Sequence, residues 1–63
     1  MLKAYETDGR GIYWQVFQWV EGETVFVGDV ETLEQVLGMA RQKQLPLTLY
    51  TLDWAFQFEE VEV

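Results

Sequence analysis

Carboxylates are the most abundant chemically active side chains of this sequence, which has eleven Asp and Glu residues and no Cys or His. Nucleophilic catalysis requires Ser, Cys or Thr beside a base, and the chain also lacks Ser. Paired carboxylates can carry out acid–base chemistry, as in glycosidases, but that chemistry needs a cleft as well as the pair. A chain of 63 residues offers little room for a cleft, so we expect a protein that is not an enzyme.

Two short motifs could in principle bind an ion. Asp29, Glu31 and Glu34 could hold a hard cation, but they lack the alternating ligands and the glycine of an EF-hand loop, so helix capping is the better interpretation. The Gly-Arg-Gly sequence at 9–11 precedes a predicted strand, whereas phosphate loops precede a helix. Without Cys and His the common zinc sites are excluded. The sequence therefore predicts no metal and no cofactor.

The net charge is −7, and the four basic residues are scattered along the chain at Lys3, Arg10, Arg41 and Lys43. Without a basic patch, direct binding to nucleic acid or to an anionic membrane is disfavoured. The charge favours a basic protein partner. A charge of this size also keeps small domains soluble, and the sequence leaves that alternative open.

Glu60 and Glu62 form the densest acidic segment together with Glu59 and the terminal carboxylate. Carboxylates at alternate strand positions stand about 6.8 Å apart, so they could imitate a row of phosphates, as small acidic inhibitors encoded by phages do. The alternative is a frayed and solvated acidic tail.

The hydrophobic pattern predicts a single α+β domain over 1–63 with the order β-β-β-α-β. Strands are expected near 2–7, 12–20, 24–28 and 47–58, and a helix near 30–44. Asp29 is the expected helix N-cap, with Thr32 and Gln35 as a rival capping box. We expect one four-stranded, mostly antiparallel sheet with the helix packed on one face. The most buried side chains should include Leu33, Leu37, Val16, Val27 and Leu49.

The two faces of the predicted sheet differ in composition. A two-residue loop at Glu21 and Gly22 would pair Val20 with Glu23. The same register would pair Val16 with Val27 and Phe17 with Phe26, and would place the aromatic residues of the hairpin on one face. The other face is mostly aliphatic and suits the helix. We expect the aromatic face to stay uncovered and to bind a partner, unless the C-terminal segment folds over it. The predicted contact residues on this face are Tyr13, Phe17, Trp19 and Phe26, and Glu60 and Glu62 are added from the acidic segment.

Gly38 interrupts the predicted helix, where it costs about 1 kcal/mol relative to Ala. On the helical wheel it lies opposite Leu33 and Leu37, with Met39 nearby. A partner approaching the outer helix face closely would explain the glycine, so Gly38 and Met39 complete the predicted partner-binding set. Neutral drift in a marginal helix is the alternative.

A chain this short buries only about 60% of its unfolded surface, so association is the expected means of stabilising it. The sequence favours a non-catalytic interaction domain that binds a basic protein through the aromatic face, as an inhibitor or adaptor, and it also predicts a homo-oligomer. Two alternatives are a structural homo-oligomer with paired aromatic faces and a nucleic-acid mimic using the C-terminal carboxylates. The first residues lack a signal peptide and no run is long enough to span a bilayer, so a cytoplasmic location is expected.

Overall fold

The computed structural model describes residues 1–10 and 13–63, and over these residues the chain forms five strands and one helix. Predicted strand residue Ile12 lies outside the described residues. The elements in chain order are β1 (Leu2–Glu6), β2 (Trp14–Val20), β3 (Glu23–Val30), α1 (Leu33–Lys43), β4 (Leu47–Leu52) and β5 (Phe58–Glu62).

All five strands form one mixed sheet in the order β3-β2-β1-β4-β5. The β1–β4 pair is parallel, and the other three pairs are antiparallel. Helix α1 lies in the connection from β3 to β4, which returns the chain to the far side of β1. The α+β class with one helix is as predicted, but the sheet has five strands and not four.

The additional strand arises because the chain turns back at Asp53 and does not continue as the single strand predicted over 47–58. The Asp53 carboxylate Oδ1 accepts the N–H groups of Ala55 at 2.8 Å and of Gln57 at 3.0 Å. The Asp53 N–H donates to the Gln57 carbonyl at 2.9 Å, and Phe56 takes the positive φ of 57°. The acidic end of the chain therefore pairs with β4 as strand β5, and it is not the frayed tail considered above.

The β2–β3 hairpin turns at Glu21 and Gly22, whose φ angles of 50° and 82° are both positive, as a type I′ turn requires. The turn pairs Phe17 with Phe26, as the sequence predicts. The predicted pairing of Val16 with Val27 is wrong. A bulge next to Val16 places Gly28 opposite it, because one extra residue on the β3 side shifts the register.

Helix α1 begins at the capping box of Thr32 and Gln35, and not at Asp29, which lies in β3. The Thr32 hydroxyl accepts the Gln35 N–H at 3.1 Å, while Gln35 Oε1 accepts the N–H groups of Thr32 at 3.1 Å and Glu31 at 2.9 Å. Three N–H groups around the helix start are thereby satisfied. The helix ends at Gln44 in the left-handed conformation. No helix among the described residues is long and apolar enough to cross a membrane.

The core lies between α1 and one face of the sheet. Its buried apolar residues are Leu2, Ala4, Trp14, Val16, Val36, Leu47 and Leu49. Val16 and Leu49 are buried as predicted, but Leu33 is 37% exposed, and Leu37 and Val27 are only partly buried. The helix face that packs against the core is centred on Val36, and not on Leu33 and Leu37 as predicted. Met39 and Ala40 lie on the same face, at i+3 and i+4 from Val36.

The helix orientation predicts that Val36→Ala destabilises the fold more than Leu33→Ala. Val36 is fully buried, so the methyl groups lost and the cavity left should lower the free energy of unfolding by about 2 kcal/mol. Leu33→Ala should lower it by less than about 1 kcal/mol, since much of that side chain already meets water. Urea denaturation of both variants measures the difference. A larger loss at Leu33 would contradict the orientation.

Candidate binding face

The sheet face opposite the helix, called here the open face, has no element packed over it among the described residues. Side chains at paired positions share a face, and successive residues of a strand alternate. The register therefore assigns to the open face Lys3, Tyr5, Gln15, Phe17, Trp19, Thr24, Phe26, Asp29, Thr48, Tyr50, Leu52, Phe58, Glu60 and Glu62.

Five of these side chains form a continuous aromatic row across all five strands. Tyr5 on the central strand stacks on Tyr50 with ring centroids 4.5 Å apart. Tyr5 also meets the rings of Phe17 at 5.6 Å and Phe58 at 5.5 Å in edge-to-face contacts, and Phe17 meets Phe26 at 5.4 Å. Such pairs contribute about 0.5–1.5 kcal/mol each beyond the area they bury. The row is therefore a continuous surface in which each ring contacts at least one neighbouring ring.

Lys3 fixes a sixth aromatic side chain beside the row. Its Nζ lies 4.7 Å from the centre of the Trp19 ring and 5.9 Å from that of Tyr50. A lysine over an aromatic ring contributes about 0.5–1 kcal/mol at an exposed site. The half-buried Lys3 stem thereby links Trp19 at the end of β2 to the middle of the aromatic row.

The open face forms a groove. A cavity of about 570 Å³ is lined both by Thr24 on one outer strand and by Phe58 on the other, so the face is concave between them. Tyr5 and Phe17 form apolar walls, and Gln15 supplies a polar group. Ligand pockets generally measure about 300–1,000 Å³, so the groove is similar in volume to a ligand pocket.

The exposure of the open face is unusual for an antiparallel or mixed sheet with a solvated side. Such a side normally carries polar residues. Here Phe26 and Phe58 are exposed, and Trp19 keeps 47% of its surface accessible. Contiguous exposed apolar surface marks interaction sites.

Carboxylates flank the open face on both sides. Glu60 and Glu62 on β5 lie opposite Tyr50 and Thr48. Asp29 on the other outer strand lies opposite Gln15 on the neighbouring strand β2. The rim of the face is therefore acidic, with aromatic rings between the acidic groups.

Tyr13 lies at the end of the open face, beside Asp29, and is not part of the aromatic row. The negative charge of Asp29 raises the pKa of Tyr13 most, followed by desolvation and by the side-chain hydrogen bond to Asp29. Glu31 raises this pKa further. Each carboxylate disfavours the tyrosinate form. Tyr13 is thus tied to the acidic rim.

Apart from Tyr13, the contact residues predicted from the sequence divide into two groups. Phe17, Trp19 and Phe26 come together with Glu60 and Glu62 on the open face. Gly38 and Met39 lie in α1, on the other side of the sheet. Met39 packs against the core, so its predicted outward position is wrong, whereas a Cβ at Gly38 would meet open space.

The open face also contains four residues that were not among the predicted contacts, namely Lys3, Tyr5, Tyr50 and Phe58. The sequence shows that they alternate with apolar residues along their strands. It contains no local signal for the pairing of β1 with β4, which brings them together. Trp54 was not predicted as an exposed residue either, because its segment was predicted to be a strand. It lies in the β4–β5 turn with 93% of its surface exposed.

Among residues 1–10 and 13–63, no group of three or more Asp and Glu side chains is arranged to hold a metal ion. Asp29, Glu31 and Glu34 therefore do not form a ligand set.

The chain matches no protein-family model, and neither a curated protein nor a solved structure is significantly similar to it.

The acidic rim predicts a measurable change at Tyr13. Asp29→Asn should lower the pKa of Tyr13 towards its ordinary value, because it removes the largest electrostatic cause of the rise. Glu31→Gln is the matched control and should lower it less. Titration of the Tyr13 ring signals by NMR measures both shifts.

A raised pKa means that the folded chain holds the tyrosyl proton more tightly than the unfolded chain does. This contribution to stability is present below the ordinary tyrosine pKa of about 10 and is lost as the pH rises through the folded pKa. An unchanged Tyr13 pKa in Asp29→Asn would show that Asp29 is not its neighbour in solution.

Proposed function

We propose that this chain is a non-catalytic interaction domain whose open face binds a basic segment of a protein partner. The observation that carries the proposal is the aromatic row, which crosses all five strands on the side of the sheet that the helix leaves uncovered. An inhibitor or an adaptor would both use such a surface.

The exposed rings favour a protein as the occupant of the groove. Trp and Tyr are enriched among the interface residues whose loss weakens binding most, and those residues lie near the centre of an interface. Tyr5 and Tyr50 stand at the centre of the row, with Phe17 and Phe58 on either side. Rings already held by one another lose little conformational freedom on binding, which reduces the entropic cost of association.

The acidic rim favours a basic partner. Glu60 and Glu62 flank one side of the row and Asp29 the other, in a chain whose net charge is −7. An arginine guanidinium can stack on an aromatic ring and pair with a carboxylate at the same time. We therefore expect the aromatic rings to determine affinity, while the carboxylates raise the association rate and make it depend on salt.

A second candidate is mimicry of nucleic acid by the carboxylates. It is favoured by one observation, that Glu60 and Glu62 lie on a paired strand with their side chains on the same face. A regular strand holds the two carboxylates at a constant spacing of about 6.8 Å, which a frayed tail would not. In this case the carboxylates, and not the rings, would dominate affinity.

Truncation of Trp19 tests the aromatic face. Trp19→Ala should weaken binding of the partner by at least about 2 kcal/mol, or roughly thirtyfold, while the chain stays folded, since Trp19 faces away from the core. Val20→Ala is the matched control: Val20 is 42% exposed against 47% for Trp19, and the two neighbours point to opposite faces. Val20→Ala should bind as the wild type does.

Partners for this titration come from a pull-down in which the wild-type chain and both variants serve as parallel baits. A partner retained equally by all three folded baits would contradict the proposal. The double variant Glu60→Gln, Glu62→Gln distinguishes the two candidate functions. If the chain is an interaction domain, this variant should weaken binding less than Trp19→Ala does, and its effect should depend on salt. If the chain mimics nucleic acid, it should weaken binding more than Trp19→Ala does.

A homo-oligomer with paired open faces is the remaining alternative. Pairing two such faces would bring the acidic rims of two chains of charge −7 together, which is unfavourable at low salt. The sequence predicts a homo-oligomer, and sedimentation at micromolar concentration tests it: a monomer at every salt concentration would leave only binding to a different protein. A dimer that tightens as salt is added and is lost in Trp19→Ala would show that the aromatic faces bind each other.

A further inference from the structure

The sheet has two outer strands, β3 and β5, and they differ in regularity. Strand β3 contains the bulge beside Val16, which interrupts regular pairing along that edge. Strand β5 pairs with β4 without a shift from Glu62 to Phe58, so its far edge is regular. Unpaired backbone groups along a regular edge are a template for another strand.

The hydrogen bonds on the β4 side show which backbone groups of β5 point outward. The Val63 N–H donates to the Leu47 carbonyl at 3.0 Å, and the Asp53 N–H donates to the Gln57 carbonyl at 2.9 Å. In an antiparallel pair, residues that bond to the partner alternate with residues that do not. The odd-numbered residues of β5 therefore face β4, and the N–H and C=O groups of Phe58, Glu60 and Glu62 point away from it.

These same three residues also present their side chains on the open face. A strand added to β5 would place the residues hydrogen-bonded to Glu60 and Glu62 directly beside the two carboxylates. Opposite charges at such positions are favourable, and an apolar side chain suits the position beside Phe58. The edge therefore selects an extended segment with basic residues at alternate positions.

A second copy of the chain is a poor occupant of this edge. Antiparallel pairing of two β5 strands about their centres would place Glu60 opposite Glu60 of the other copy. Like charges directly opposite each other destabilise a pair of strands. The acidic edge thus discourages self-pairing while it attracts a basic strand.

We propose that an extended basic segment of the partner adds to the β5 edge as an antiparallel sixth strand, with its basic side chains on the open face beside Glu60 and Glu62. This inference rests on the proposed function, since it specifies how the basic segment reaches the open face. Main-chain hydrogen bonds to Phe58, Glu60 and Glu62 would set the register of the added strand. The carboxylates of Glu60 and Glu62 would determine which partner sequences bind, because they favour basic side chains beside them.

The test uses capped synthetic peptides in which arginine alternates with threonine. One peptide carries N-methyl groups on the arginine backbone nitrogens, and the matched control carries them on the threonine nitrogens. Charge and the number of methyl groups are the same. In the proposed register the arginine N–H groups donate to β5, whereas the threonine N–H groups point to solvent. Methylation of the arginines should weaken binding at least about tenfold, and methylation of the threonines should change it little.

Hydrogen exchange gives a second readout on the full chain. The unmodified peptide should slow exchange of the amides of Phe58, Glu60 and Glu62, while those of Glu59 and Val61, which face β4, should change little. Equal binding of the two methylated peptides, a loss confined to the threonine-methylated one, or no binding of any peptide would overturn the proposal.

The titrations also separate this inference from the proposed function. If Trp19→Ala weakens binding of the natural partner but the methylated peptides behave alike, the open face binds its partner without strand addition. If methylation of the arginines matters and Trp19→Ala does not, the edge is a site and the aromatic face is not.

Discussion

One helix has to cover a sheet of five strands, and most of the structure follows from that constraint. Helix α1 has 11 residues and is about 16 Å long, while five strands span about 19 Å. Its apolar stripe, centred on Val36, covers the face that carries Leu2, Ala4 and Val16. Residues 1–10 and 13–63 include no second helix that could cover the opposite face. That face must either be polar or remain exposed and apolar, and here it is aromatic.

The aromatic row depends on the position of β1 in the centre of the sheet. Its alternate residues serve both sides, since Leu2 and Ala4 point to the helix while Lys3 and Tyr5 point to the open face. Tyr5 contacts rings from β2, β4 and β5, so it joins the two hairpins into one surface. Loss of the parallel β1–β4 pairing would separate the row into two smaller aromatic groups.

Local signals in the sequence were sufficient for the β2–β3 hairpin and for half of the open face. Glu21 and Gly22 predicted the turn, and the turn set the pairing of Phe17 with Phe26. The bulge opposite Val16 could not be predicted from the hydrophobic pattern, because that pattern does not show where one extra residue is inserted into a strand. The sequence offers both Asp29 and Thr32 as the N-cap of the helix. Only the reciprocal hydrogen bonds between Thr32 and Gln35 show that Thr32 is the cap.

The other half of the face depends on contacts between distant parts of the chain. Tyr5 and Tyr50 are stacked although 44 residues of sequence separate them, and no periodicity connects them. Asp53 lies inside the strand predicted over 47–58, and whether the chain continues or reverses there depends on the hydrogen bonds that its carboxylate accepts from the N–H groups of Ala55 and Gln57. That reversal produced β5 and placed Phe58, Glu60 and Glu62 beside the row.

The proposed function requires a partner to contact the open face and not the helix side. Cross-saturation NMR measures this directly, because irradiating the bound partner attenuates signals of the residues that touch it. The proposed function predicts attenuation at Tyr5, Phe17 and Phe58, with Leu33 and Val25 unaffected. Attenuation centred on Leu33 and Val25, with the aromatic row unchanged, would contradict it.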